Sequence, residues 1–262
     1  MANPLPSRVR PGRTSGRLSN IQSLHTGHTG GSLASRAALS ALDEDNNTAI
    51  IVDAVFHIVA KEESKGDITN DMPQAQLDSL KAAYKDYGIQ FDLINVTWNT
   101  NDAWATGEKD ADLDMKKQLR QGTYRTRNIY FQTELAGGVL GRCTLPSNIA
   151  NGKSDPTVYS NNGCNVSVNV NANTSPHLRG YSCDGLGDYI DDTPYEREST
   201  DGCPDSPPKQ SCPEQTGEKN DPILNFIDYS TDACYTGFTQ PREEQSQHDR
   251  MHYMYNTFTD GN

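Results

Sequence analysis

From Asn47 onward the chain carries apolar runs of two different periods. Thr48 to Ala60 reads T-A-I-I-V-D-A-V-F-H-I-V-A, a β-branched run of strand length that is apolar on both sides. That pattern predicts a strand inside a sheet. His57 interrupts it and is expected to be a hydrogen-bonded core histidine. Leu77, Leu80, Ala83, Tyr84 and Tyr87 then recur at helical spacing. They predict a helix from about Pro73 to Tyr87, with Asp71 as a candidate cap, Pro73 in the first turn and Gly88 as the stop. Ile89 to Trp98 alternates as a strand. Asp110 to Gly122 predicts a second helix with Leu113, Met115 and Leu119 as its apolar positions, and Arg127 to Leu135 a further strand. Asn165 to Val170 places Val166, Val168 and Val170 on one face and polar residues on the other, the pattern of an edge strand. A final helix is expected over about Pro241 to Phe258. Strands and helices followed by a long irregular region imply an α+β fold with an ordered sheet half and a loop-rich half.

The loop-rich half cannot hold itself together by burial alone. Cys183 to Cys234 contains four of the six cysteines, and Asp184, Asp188, Asp191 and Asp192 crowd into nine residues. Such a stretch needs covalent or ionic cross-links. The six cysteines are an even set without a C-x-x-C pair, which reads as three disulfides and an oxidising compartment. Spacing alone leaves fifteen pairings open. N-x-S/T sequons at Asn46, Asn95, Asn165 and Asn173 agree with a secreted glycoprotein. A net charge of -12 argues against a nucleic-acid partner. No apolar run is long enough to span a bilayer, so no membrane partner is expected. Residues 1–36 carry five arginines and no acid. No apolar stretch follows the arginines, so this is not a signal peptide as written. Residues 1–46 read as a disordered or propeptide-like arm, and 47–262 as one domain.

The segment M-K-K-Q-L-R-Q-G-T-Y-R-T-R-N-I-Y-F-Q-T-E-L, followed by G-V-L-G-R-C-T-L-P, resembles the pappalysin-type metzincins, the group that includes secreted fungal zinc metalloproteases. So does C-D-G-L-G-D-Y-I-D-D-T-P with the later D-P-I-L-N-F-I-D-Y-S-T-D-A-C. The resemblance covers residues 50 to 258. It implies a zincin/metzincin-like fold, a twisted mixed sheet with flanking helices above a disulfide-bonded lower half. It also implies a monomeric, extracellular metalloendopeptidase acting on protein or peptide substrates, with the Asn165–Val170 strand binding the substrate backbone by strand addition. By the same resemblance Cys183 pairs with Cys212 and Cys203 with Cys234, leaving Cys143 to Cys164. Tyr229 would stabilise the oxyanion, Ile227 stands where a methionine underlies the zinc, and Asp188, Asp191, Asp192 and Thr193 would be calcium ligands.

One element of the resemblance is missing. Metzincins hold zinc with H-E-x-x-H-x-x-G-x-x-H on a helix and its exit turn. No H-E-x-x-H occurs in this chain, and only twelve residues separate Val170 from Cys183. His177 alone corresponds to a zinc ligand, the third histidine, and one histidine does not hold zinc tightly. His248 and His252 share a helix face at i, i+4, but Asp249 is too short for a catalytic glutamate and no glycine turn follows. That face is expected to be solvated and polar. The resemblance therefore implies a zinc protease that is inactive as written, or an extracellular pseudoprotease that binds without cleaving. A misread gene and a splice form would both produce such a chain, and a calcium-stabilised adhesion protein is the reading from another class. Without the zinc helix, the sheet face of the Val55, Ile129 and Phe131 strands is expected to lose a covering layer.

Overall fold

The structure is a computed structural model that describes residues 49–144, 159–168, 183, 193–198, 200, 202–204, 208–214, 220–226, 228, 230, 232–238 and 246–259. The expectations for the arm at 1–46, for Asn46, Asn173, His177, Asp188, Asp191, Asp192, Ile227 and Tyr229, and for the twelve residues after Val170 lie outside them.

The apolar run Ile50–Ala60 (β1) lies inside the sheet with a strand on either side, and from Ala54 to Ala60 both of its faces are buried, while Ile51 and Asp53 are exposed. It pairs in parallel with Ile89–Thr100 (β2) and with Arg127–Gln132 (β3). β3 pairs in parallel with a strand at Cys164–Ser167, and that strand pairs antiparallel with Gly141–Cys143. Numbered along the chain, Gly141–Cys143 is β4 and Cys164–Ser167 is β5, so the mixed sheet runs β2-β1-β3-β5-β4. The resulting architecture is a mixed α/β sheet with three disulfides.

Side chains of β1 alternate between two covered faces. Ala54, Phe56 and Ile58 meet Phe131 of β3 and Leu77 of the helix Met72–Tyr84 (α1). Val59 and Tyr130 face the other way, against Ala105 of the short helix Asp102–Thr106 (α2) and Met115 of the helix Lys109–Leu119 (α3). The last helix, Gln247–Thr259 (α4), brings Met251 and Tyr255 against Ile50, Val52 and Ile89. No helix among the described residues is long and apolar enough to cross a membrane.

Local chemistry explains the helix ends. Asn101 accepts from the backbone N–H of Ala103 and Trp104, and this cap starts α2, an element the periodicity did not reveal. Asp71 makes no side-chain cap, and Pro73 in the first turn is what orders the start of α1. Gly88, at φ 68, closes the 3-10 turn Lys85–Tyr87 that follows α1 and sends the chain into β2.

Three expectations change. β5 is an interior strand, because the three-residue β4 covers its outer side, so the sheet's edges are β2 and β4. The polar face of β5 is not solvated either: Asn165 and Ser167 are buried. Val55, fully buried, lies on the face opposite Phe131, since Phe131 pairs with Ile58 and alternation separates odd from even positions of β1. Phe131 is itself buried and Ile129 half-buried.

Candidate functional site

The cysteines clip the loop-rich half and the sheet edge. Cys143–Cys164 joins directly opposed residues of β4 and β5. Cys183–Cys212 and Cys203–Cys234 close loops of 29 and 31 residues, and Cys212 and Cys234 are buried. Closures of this size each contribute about 2–4 kcal/mol.

Between these two disulfides lies a buried charged cluster. Lys209 Nζ sits 2.8 Å from Glu196 Oε1 and 3.2 Å from Asp221 Oδ2. The Thr200 hydroxyl bridges Glu196 Oε1 at 3.0 Å and Asp228 Oδ1 at 3.3 Å. Asp221 and Asp228 also accept from the backbone N–H of Ser211 and Ser230. One ammonium thus contacts two buried carboxylates, and a third, Asp228, joins the cluster through the Thr200 hydroxyl. Burial, with the Asp228 carboxylate beside it, pushes Glu196 up to about 7. Periodicity could not have found this cluster, because its members come from four separate loop segments.

The segment around Tyr229 is anchored to the sheet half. Asn225 bridges to Gly237 and donates to Gln247 at the start of α4, at 2.8 Å. Tyr87 donates to the carbonyl of Phe238 at 2.9 Å and accepts from its N–H at 2.6 Å. Phe226, Phe238, Tyr87 and Tyr84 form an aromatic chain between that loop and α1.

The three described histidines are each held in other contacts. His248 and His252 are both buried, which corrects the expectation of a solvated helix face. The residues facing them are Tyr87 and Gly88, not water. His252 Nε2 donates to the Tyr87 carbonyl at 2.7 Å, and His248 Nδ1 lies 3.1 Å from Asp249 Oδ1. His57 is also fully occupied: Nε2 meets Asn128 Oδ1 at 2.9 Å and Nδ1 meets Thr97 Oγ1 at 2.8 Å. The Asn128 amide nitrogen donates to the Gln121 carbonyl, so Asn128 offers its oxygen to His57 and the ring carries its proton on Nε2. Burial lowers the His57 pKa and keeps it neutral. Among the described residues no three His, Cys, Asp or Glu side chains are placed to hold a metal ion. The described donors do not fit zinc, which needs three or four convergent ligands. Thr193, the one described member of the calcium set, is buried.

On the other face, Lys116 and Asp112 of α3 pair at 3.0 Å with the Lys116 side chain almost wholly buried. Asn165 Nδ2 donates to Asp112 Oδ1 at 2.6 Å and to Gln132 Oε1 at 2.7 Å. Gln132 in turn donates to the Trp104 carbonyl at 2.5 Å. This polar chain ties α3, β5, β3 and α2 together. Both amide hydrogens of Asn165, the first residue of a sequon, are thereby used, and the residue is fully buried. Asn95, by contrast, is exposed. An open depression of about 550 Å3 beside α3 is lined by Glu108, Asp112 and Arg142, but Asp112 is committed to Lys116 and Asn165.

Comparison with known proteins adds the remaining evidence. No family model matches the chain. It is 35% identical over 261 residues to an extracellular metalloprotease of Aspergillus oryzae, covering 82% of this chain and 79% of that protein. It is 38% identical to one of Sordaria macrospora, over 73% of this chain and 71% of the relative. Extracellular metalloprotease 1 of Coccidioides posadasii is 34% identical, with 85% of each chain covered. Among solved structures, metalloproteinase-II of Bacteroides fragilis aligns with a TM-score of 0.30 and 11% identity, over 56% of this chain and 44% of that one.

Proposed function

This chain belongs to the family of fungal extracellular metalloproteases, and from that premise we propose that it is a secreted, peptide-binding member of the family that does not cleave. The family chemistry we assign is hydrolysis of peptide bonds by zinc-activated water, within the pappalysin-type metzincin line and on a zincin-like fold. The carrying observation is the pairing of 35% identity over most of an extracellular metalloprotease with a sequence that has no His-Glu-x-x-His. The aligned region of 261 residues is longer than the 82% of this chain that it takes in, so that relative carries internal residues which this chain lacks. The three disulfides support an oxidising, extracellular route.

For substrate, the outer side of β4 is a better strand-addition site than the Asn165–Val170 segment, because among the described residues β5 is covered by β4 and β4 is an outer strand. Zinc would supply a polarised water in the family, and no residue described here takes a step through it. Residues 1–46 remain assigned as an arm, and 47–262 as the protease-like domain. A calcium role for Asp188, Asp191, Asp192 and Thr193, and an oxyanion role for Tyr229, remain assignments by resemblance.

The expected result is that the purified chain, dialysed and supplied with zinc, releases no more peptide from an unfolded protein substrate than a buffer blank does. A family-like zinc helix inserted between Val170 and Cys183 is expected to bring metal binding and chelator-sensitive hydrolysis together. Chelator-sensitive cleavage by the chain as written, with a stoichiometric zinc after dialysis, would overturn the non-cleaving reading.

A further inference from the structure

We propose that Asn95 carries an N-linked glycan and that this glycan covers the sheet's free β2 edge. The extracellular reading supplies only the route by which the chain meets the transfer machinery; the geometry is independent of it. Asn95-Val96-Thr97 and Asn165-Val166-Ser167 are the two sequons among the described residues. The fold separates them. Asn165 is fully buried, and both hydrogens of its Nδ2 are held by Asp112 and Gln132. Asn95 is exposed, and its Nδ2 makes a single surface bond of 2.8 Å to Gln121 Oε1. A glycosidic bond replaces one amide hydrogen and leaves the other. Asn95 can therefore be substituted while its bond to Gln121 persists.

The position also explains what the sugar would do. Among the described residues β2 pairs with β1 alone, so a row of backbone donors and acceptors faces outward along its twelve residues. Such an edge templates association unless it is guarded by Lys, Pro, a bulge or a cover. β2 contains no Lys, Arg or Pro, and Asp92 is its one charged residue. It exposes Ile94 (53%) and Trp98 (46%). The one guard built into the strand is a bulge, where Ala54 pairs with Leu93 and Val55 with Asn95, and that bulge leaves the exposed Ile94 unpaired beside the acceptor. A bulky hydrated group on Asn95 would stand next to that apolar residue, while Trp98, which pairs with Ile58, lies on the other face of the strand.

The transfer balances without a redox step. Nδ2 attacks the anomeric carbon of a lipid-linked oligosaccharide pyrophosphate, the carbon–oxygen bond to the pyrophosphate breaks, and the lipid pyrophosphate leaves while a base takes the amide proton. In the folded chain the Thr97 hydroxyl is engaged by His57 and Asn99. The transfer thus belongs to the extended chain, before β1 and β2 pair, and burial selects afterwards: a chain with sugar on Asn165 cannot seat that residue between Asp112 and Gln132 and does not reach the folded pool.

The test uses the full chain behind a secretion leader in a eukaryotic host, with translation into microsomes as a readout that does not depend on release. Glycopeptide mapping is expected to find Asn95 occupied and Asn165 bare. Asn95→Gln should lose one glycan-sized mass step. Enzymatic deglycosylation of the folded protein, and Asn95→Gln, should each raise the associated fraction severalfold in light scattering. Adding Ile94→Lys to Asn95→Gln should restore the monomer. A disulfide-bonded chain with a bare Asn95 overturns the site and leaves the extracellular reading standing, whereas free thiols in released protein would count against that reading instead. A glycan on Asn165 of folded protein overturns the selection by burial. An occupied Asn95 whose removal changes nothing in association overturns the role as a cover.

Discussion

Lys116→Ala is expected to destabilise the chain by about 3–5 kcal/mol, the range for removing one partner of a buried ion pair. Lys116 is almost fully buried and meets Asp112 at 3.0 Å, one turn away on α3. Burial drags the Lys116 pKa down, and the Asp112 carboxylate works against that. Without the ammonium, Asp112 keeps only the Asn165 bond and a water-poor surrounding. The disturbance should spread, since Asn165 also supports Gln132, and Gln132 supports the backbone of α2. A domain has a net stability of only about 5–15 kcal/mol, so this loss is large. Denaturant unfolding of wild type and variant checks it. Asp112→Asn with Lys116→Met, which removes both charges and keeps an acceptor for Asn165, should recover most of the loss. A Lys116→Ala cost within experimental error of zero would mean that water reaches the pair.

The second large effect is a pH dependence. Glu196 has a folded pKa of about 7 against an ordinary value of 4.5, because burial and the Asp228 carboxylate disfavour its charge. The fold therefore binds the proton more tightly than the unfolded chain does. The stabilisation from this residue is fully present below pH 4.5 and is lost as pH rises through 7. Its size is about 3 kcal/mol on the scale of 1.36 kcal/mol per pH unit. Lys209 offsets part of the penalty but is shared with Asp221, and the Thr200 hydroxyl is shared with Asp228. Glu196→Gln keeps the shape and cannot ionise. The expected outcome is that wild type loses stability relative to Glu196→Gln between about pH 4.5 and 7, with the difference levelling above that. Taking the difference between the two proteins cancels the titrations of groups that do not touch Glu196, while the Asp228 step stays coupled to it. Parallel stability curves would show that Glu196 is solvated.

Periodicity found the elements whose burial is local and continuous. β1 was legible because a strand covered on both faces must be apolar at successive positions, and α1 because its core positions recur every three or four residues. α2 and β4 were not legible. Five and three residues are too few to show a period, and β4 exists because it pairs with β5 across a disulfide. The placing of β5 failed for the same reason. Its polar residues looked solvated in sequence, but Asn165 is buried because Asp112 and Gln132 wait for it on other elements.

The amino-acid sequence by itself determined the strand–helix frame, an even set of cysteines for an oxidising compartment, and the lack of a His-Glu-x-x-His zinc motif. These are properties of residues near one another in the chain, where spacing carries the physics. Only the tertiary structure decided the rest. It set which strands are the edges, which sequon lies open, where His248 and His252 are enclosed, and which two carboxylates share Lys209. Each of those depends on groups far apart in sequence reaching hydrogen-bonding distance after the chain has closed on itself, and no local pattern encodes such a meeting.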